Sequence, residues 1–472
     1  MIRLIIEKEL REIIGSTKFA LTFGVCAILI LLTFYVGAKN HQLNVLRNEA
    51  AKTENLRRME GLTDWLSLGS NRIFLPPQPL EALVSGISND IGRTTKLSGR
   101  GEIVAQDSRF NSDPIFAVFR FLDLEFIFQI VLSLFAILFA YDAINGEKER
   151  GTLSLSFARA IPRDKYITGK MGGAFVAVGL PLMIPILLGC LMLPVFGVHL
   201  TGEEWLRLFL VIFSGLLYFG VFLTLSVFIS TLTQKSSNSF LICLIIWIFT
   251  VLIIPRAAVL LAGRTVDVPS VDELAYQKGR FRSQLWQEDR NELSQFKPSS
   301  NKDPMAMANE FNKYMQKLTE ERDRKTNELS YRLEEERRNA QIQQQRLAFS
   351  LAKISPSAVF SLAATQLAGT SLNLKKNFHD EARGYQRTYA EFMKEKTGMV
   401  LGLGEVLIAM RIGDEEEEEE PINPQELPVF DYKSRPLSDV LNDAALDIGL
   451  LMIFNILFFT GAFVGFLRYD VR

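Results

Sequence analysis

The stretch FIFQIVLSLFAILFAYDAINGEKERGTLSL, residues 126–155, joins two kinds of chain. Its first part, Phe126 to Ile144, is almost unbroken apolar surface. Its second part carries Glu147, Lys148, Glu149 and Arg150, followed by Gly151, Thr152 and Leu153. A bilayer core about 30 Å thick is crossed by roughly 20 apolar residues in a helix, so the first part predicts a membrane span. A charged, glycine-punctuated segment directly after a span predicts a short helix presented to a cytoplasmic partner.

Outward from this stretch, the same apolar pattern recurs at about 19–38, 172–197, 206–230, 240–263 and 446–467, which makes six spans in all. The averages conceal this contrast: 48% of the chain is hydrophobic and 22% charged, and the mean hydropathy is +0.15. A net charge of −1 gives no bias toward nucleic acid. Cys26, Cys190 and Cys243 all fall in apolar runs, where they act as small packing residues. His41, His199 and His379 are too scattered for a metal or catalytic centre. The phosphate-cradling pattern Gly-x-x-x-x-Gly-Lys-Ser/Thr does not occur, since Gly169-Lys170 runs on into Met171.

Residues 1–18 predict an amphipathic interfacial helix feeding a retained span, because no Ala-x-Ala cleavage site follows. The loop from Asn145 to Lys170 carries Lys148, Arg150, Arg159, Arg163, Lys165 and Lys170, which places it in the cytoplasm by the positive-inside rule. Both termini and the small loop at Lys235 then lie inside, and the polar segments 39–125 and 264–445 outside.

Within 264–445, Val271–Phe296 and Pro304–Ile354 predict a helical hairpin broken at Lys297–Pro304. Its sparse seam is Phe311, Met315, Leu318, Leu329 and Leu333. A further helix is expected over Pro356–Lys396, and the carboxylate run Asp414–Glu420 reads as a solvated loop. Asp123 and Glu125 at the outer mouth of the second span, and Arg256 near the outer end of the fifth, are expected to face protein or reach the interface, in a structural role such as snorkelling or an Asp–Arg pair rather than in direct substrate contact, since ionised groups avoid lipid. Asn455 is placed to bond across helices, and Pro181, Pro185 and Pro194 to kink the third span.

The segment Tyr141–Leu155, continued by Ala160-Ile-Pro-Arg-Asp-Lys-Tyr and Gly169-Lys170, resembles the signature of the type-2 ABC transporter permeases. In that signature an acidic and a basic residue, then Glu-x-Gly-Thr-Leu, lead into a Pro-x-x-Arg/Lys stretch. Glu7-Lys-Glu-Leu-Arg-Glu with Ser16-Thr-Lys-Phe19 resembles the amino-terminal elbow of such permeases. Ile354-Ser-Pro-Ser-Ala-Val-Phe and Ala368-Gly-Thr370 resemble a subgroup with a large extracytoplasmic domain between the fifth and sixth membrane helices.

The resemblance implies an all-α membrane protein: an interfacial elbow (1–18), membrane helix 1 (19–38), an outer segment (39–125), and helices 2–5 (126–263) with a coupling loop at 145–170. A mainly helical outer domain (264–445) and the last helix with its C-terminus (446–472) complete it. It implies a multi-pass protein of the cell (inner or cytoplasmic) membrane, surrounded by lipid and working as a homodimer or related heterodimer with a second permease copy. ABC ATP-binding subunits would carry the ATP and Mg, and this chain would hold no cofactor, metal or nucleic acid. The ATPase-coupling residues would be Glu147, Glu149, Gly151, Thr152, Leu153 and Arg163, and the elbow residues Lys8, Glu9 and Arg11. In this reading Glu147 and Glu149 face the ATPase, Gly151 permits a tight turn and Thr152 caps the next helix. Export is the expected activity. The alternative is a mechanotransmitter that uses partner ATP hydrolysis to act on an extracytoplasmic protein without moving a substrate. A membrane enzyme is disfavoured by the absence of His-Glu-x-x-His and Gly-x-Ser-x-Gly.

Overall fold

The computed structural model describes residues 2–68, 70–88, 91–97, 104–106, 123–158, 161–297, 304–397 and 421–468. Arg159 and the Asp414–Glu420 run lie outside the described residues.

Helix α1 (Ile2–Ile14) turns Ile5 and Glu9 inward and Leu4, Lys8 and Arg11 outward. Ser16 then caps α2 by accepting the Phe19 backbone N–H at 3.1 Å. Helix α2 (Thr17–Arg57) has 41 residues, about 60 Å at 1.5 Å per residue, twice the thickness of a hydrocarbon core. The sequence reading changes segment at Ala38. The helix instead continues through the polar residues, because Gln42, Leu43, Arg47, Glu49, Ala50 and Lys52 favour helix and no proline intervenes.

In chain order there follow α3 (Leu124–Glu149), the short α4 (Thr152–Ala158), α5 (Arg163–Val195), α6 (Gly202–Leu232) and α7 (Ser236–Thr265). Then come α8 (Val271–Ser294), α9 (Pro304–Ala352), α10 (Pro356–Ala368), α11 (Leu372–Thr397) and α12 (Leu437–Leu467). Among the described residues six helices, α2, α3, α5, α6, α7 and α12, are long and apolar enough to cross a membrane, the number read from the sequence. Helix α6 lies deepest, with Tyr218, Phe219 and Phe222 fully enclosed. Small residues let the aromatics approach: a Cβ added at Gly215 would stand 2.7 Å from the Phe128 ring.

Two spans carry a π-helical segment, Ile127–Leu132 in α3 and Ile248–Ile253 in α7. Wide turns loosen the regular hydrogen-bond ladder. Here the Gln129 carbonyl accepts the Tyr218 hydroxyl at 3.0 Å, and the Thr250 carbonyl accepts the Ser355 hydroxyl.

These segments hold α10, whose 13 residues are too few to cross a bilayer. Gln129 donates to the Ser357 hydroxyl at 2.7 Å, Ser361 donates to Glu125, and Phe360 stacks on Tyr218 at 5.0 Å. The single helix expected over 356–396 is thus divided. Gly369, at φ 73°, ends α10 in the left-handed region open to glycine, and α11 leaves in a different environment.

Helix α11 builds a second core. Leu374, Phe378, Tyr389 and Met393 meet Met59, Trp65, Ile73 and Leu97 from the segment after α2. That segment contains an antiparallel sheet of β1 (Asn71–Phe74), β2 (Thr94–Leu97) and β3 (Val104–Gln106), in the order β1-β2-β3. Asn71 pairs with Leu97, and Thr95 with Ala105. The Asn71 amide donates to the Tyr385 hydroxyl at 2.9 Å, which itself donates to the Pro428 carbonyl at 2.7 Å. Burial pushes that phenol up to about 12. Parts of both polar segments therefore share one small body.

Residues Ile254–Lys353 form a separate compact unit. Within it α8 packs on α9 through Leu274, Leu285, Leu318 and Leu333, while Phe311 of the expected seam is exposed. Arg322 pairs with Asp289 at 3.1 Å and lies 4.0 Å over the Trp286 ring, and Lys278 pairs with Glu334 at 2.9 Å. The segment 264–445 is thus divided at Lys353, because α10 packs among the membrane helices.

Candidate functional site

The charged loop folds around Gly151, whose φ of 72° lets the chain turn sharply between α3 and α4. The Thr152 hydroxyl donates back to the Glu147 carbonyl at 3.1 Å, and Leu153 is buried beneath the turn. Gly151, Thr152 and Ser154 form its exposed ridge.

Glu147 is directed inward. Its carboxylate lies 2.9 Å from the Lys8 ammonium of α1 and 2.7 Å from the Lys170 ammonium of α5, and it accepts the Tyr166 hydroxyl. Lys170 also lies 2.9 Å from Glu9. The side chains of Glu147 and Lys170 are 6% and 5% exposed. Removing such charges from water costs several kcal/mol each and is offset only by close, multiple partners. Here the ammonium has two carboxylates and the carboxylate has three donors. Burial nevertheless holds the Glu9 carboxyl above its ordinary range, against the pull of Lys170. Arg150 reaches Glu12 at 3.2 Å in an exposed pair, which adds little. Oxygens of Glu9, Glu12 and Glu147 gather within 4.8 Å, and Lys8, Lys170 and Arg150 supply matching positive charge.

Glycines seat α1 directly on α5. A Cβ at Gly169 would lie 2.9 Å from the Ile5 Cβ, and one at Gly173 would lie 2.8 Å from the Glu9 Cβ.

Glu149 works on another neighbour. It accepts the Ser236 backbone N–H at 3.0 Å and the Ser236 hydroxyl at 2.7 Å, placing negative charge at the start of α7, where a helix favours it. Asn145 donates to the Thr233 hydroxyl at 2.9 Å, and the Ile144 N–H donates to the Ser230 hydroxyl of α6 at 3.1 Å. Arg163, at the head of α5, donates to the Leu467 carbonyl at the foot of α12 at 2.8 Å. Tyr166 stacks on Phe466 at 5.4 Å.

Of the residues read from the sequence, Glu147, Leu153 and Glu9 are buried, while Glu149, Gly151, Thr152, Arg163, Lys8 and Arg11 lie at the surface. Tyr166 and Lys170, the inward partners of Glu147, were missed as site residues. Their spacing of one helical turn, beside Gly169 and Gly173, is the signal that points to them.

The other anticipated polar residues lie elsewhere. Asp123 caps α3 by accepting the Phe126 and Ser85 N–H groups at 2.9 and 3.2 Å, and burial raises its carboxyl. Glu125 accepts from Ser361. Arg256 is exposed and belongs to the 254–353 unit. Asn455 donates across helices to the Leu217 carbonyl at 2.9 Å.

The sequence profile of the ABC-2 family transporter protein matches residues 3–303, from α1 through α8. The chain belongs to the ABC-2 transporter family. An ABC-2 permease is a non-catalytic membrane subunit of an ABC transporter and works with separate ATP-binding subunits. A second profile, Domain of unknown function (DUF3526), matches residues 302–400, which take in α9, α10 and α11 of this permease. No curated protein matches the chain.

Proposed function

We propose that this ABC-2 permease is the membrane half of an exporter, and that its α3–α4 turn is where a separate ATP-binding subunit pushes. The supporting observation is the anchoring of the turn. Glu147 ties it to α1 and α5, Glu149 to α7, and Asn145 to the foot of α6. Force applied to Gly151, Thr152 and Ser154 is delivered to several membrane helices together. The two acidic residues act inward as ties, and the exposed ridge meets the partner.

In this reading the basic loop and both termini are cytoplasmic. The body around β1–β3 and α11 and the 254–353 unit beyond the end of α7 are extracytoplasmic, and the protein resides in the inner or cytoplasmic membrane. ATP and Mg bind the partner ATPase, whose nucleotide state biases two arrangements of the helices. A second permease copy and lipid cover the outward apolar residues of α7 and α12, such as Phe249, Ile453 and Ile456. Export as the direction follows from the family resemblance.

Co-purification from solubilised membranes tests this placement. Wild type and Glu147→Gln should bring down an ATP-binding subunit, and Ser154→Arg should not. A wild-type chain that brings down none, or a Ser154→Arg chain that brings down as much as wild type, overturns it.

The separate 254–353 unit supports a second reading, in which it grips an extracytoplasmic protein and the permease transmits motion without moving a substrate.

A further inference from the structure

Helix α10 is seated among the spans on hydroxyl groups as well as on apolar side chains. Ser355 donates to the Thr250 carbonyl midway along α7, and Ser361 donates to Glu125 at the start of α3. Between them the Gln129 amide reaches the Ser357 hydroxyl at 2.7 Å and the Ser357 carbonyl at 3.3 Å. The Tyr218 hydroxyl lies within hydrogen-bonding reach of Ser133 and Ser357, and the Trp247 indole N–H donates to Ser133 at 2.8 Å. Helices α3, α6, α7 and α10 thus meet in one polar hub, in which Ser133, Tyr218 and Ser357 are fully enclosed.

A wedge that only filled space would be stable with apolar groups at these positions, since a hydrogen bond made on burial replaces one made to water and adds little net stability. The same exchange makes the seat reversible. When α10 withdraws, its hydroxyls and the Glu125, Gln129 and Tyr218 groups on the wall all find water. The largest apolar loss is the Phe360 ring, which lies 5.0 Å from Tyr218 and 5.8 Å from Phe128. Polar groups at membrane depth are tolerated where protein encloses them or where they line a water-filled space, and this pair of faces suits both conditions.

Two of the anchors belong to the π-helical segments, Gln129 to Ile127–Leu132 and Thr250 to Ile248–Ile253. Rewinding either segment to regular α-helix turns its anchor away from α10. The other end of α10 is jointed at Gly369, where φ is 73°. A Cβ added there would stand 3.9 Å from Arg207, near the start of α6 and at the opposite end of that helix from the Thr233–Asn145 contact.

We propose that α10 is the extracytoplasmic gate of this permease. Seated, it closes the space between α3, α6 and α7. As the π segments rewind, it swings about Gly369 and admits extracytoplasmic water to Gln129, Ser133 and Tyr218. The role as a gate rests on the exporter reading, whereas the movement of α10 does not.

Cysteine labelling of the purified full chain in nanodiscs tests this, with a water-soluble maleimide as the probe and peptide mass spectrometry as the readout. Val359→Cys puts a thiol of similar size at a fully buried position of α10 outside the polar hub, and the natural Cys26 and Cys243, equally enclosed in α2 and α7, are internal controls. The introduced thiol should label at least about tenfold faster than either control, as a local opening does against global unfolding. Gln129→Leu removes the amide that holds Ser357, and should speed labelling of that thiol about tenfold again while leaving the controls unchanged. With an ATP-binding subunit co-purified, a non-hydrolysable ATP analogue should also speed it. If the three thiols label at one rate, or Gln129→Leu speeds all three alike, α10 does not move on its own and the gate is overturned. Should Gln129→Leu fail to fold, the comparison of the three thiols in the Val359→Cys chain decides. Faster labelling of the chain alone, with no response to nucleotide in the complex, would overturn the coupling reading and leave the movement of α10 standing.

Discussion

Glu147 and Lys170 form the ion pair on which the charged junction depends. Glu147→Gln leaves Lys170 buried with Glu9 as its remaining carboxylate, and the loss of a buried partner costs about 3 kcal/mol. Thermal unfolding of the solubilised protein should show this loss. Adding Lys170→Met to that variant should restore part of it, giving a coupling energy of about 1 kcal/mol or more in a double-mutant cycle. Gly169→Leu should also destabilise, by about 1–3 kcal/mol, because its Cβ would start 2.9 Å from that of Ile5. Faster proteolysis before Ser16 would report that α1 has lifted from α5. At this scale the sequence was only half legible. The loop displayed Glu147 and Glu149 plainly, but a carboxylate in a charged run looks the same whether it faces a partner or a buried lysine more than twenty residues further along, as Lys170 is.

Glu81 offers a pH test outside the membrane helices. It pairs with Arg93, yet burial outweighs that pairing and raises its carboxyl above the ordinary 4.5. The folded state therefore binds a proton that the unfolded state releases. This contribution is fully present below the ordinary value and is lost as pH rises through the raised folded value. Glu81→Gln should flatten that fall in melting temperature between the two values, and an unchanged slope would contradict the assignment.

Among the elements, α10 was the least legible and α3 the most. The run PSAVFSLAATQLA is apolar with Ser357, Ser361 and Thr365 four residues apart, a pattern that fits an exposed amphipathic helix as well as one wedged between spans. Its true neighbours are set by the π segments of α3 and α7, which leave no sign in local propensity. Ser361→Ala removes the hydroxyl that Glu125 accepts, so it should cost about 1–3 kcal/mol in thermal stability. Ser361→Thr, which keeps a hydroxyl, should cost less. The sheet β1–β3 escaped the sequence reading for a simpler reason: its strands are three or four residues long, too short to show an alternation.

For the whole molecule, hydropathy revealed six helices capable of crossing a membrane, because apolar runs of that length have few other uses. It could not divide the polar remainder, where α11 joins residues 59–97 by packing while 254–353 stands as its own unit. The two proposed activities diverge at that unit. The Gln344 amide donates to the Val266 carbonyl at 3.0 Å, so residues 268–343 can be excised and the ends joined by a short glycine-serine linker. Both readings predict that the shortened chain still co-purifies with an ATP-binding subunit. Retained export activity would support transport, and loss of function with the complex intact would support the mechanotransmitter.

Site-specific photocrosslinking in native membranes tests the central claim most directly. A benzoylphenylalanine at the exposed Ser154 position should capture an ATP-binding subunit, while one at the exposed Tyr276 of α8 should not. Capture from position 276 alone, or none from 154 while the ATPase co-purifies with the chain, would contradict the account.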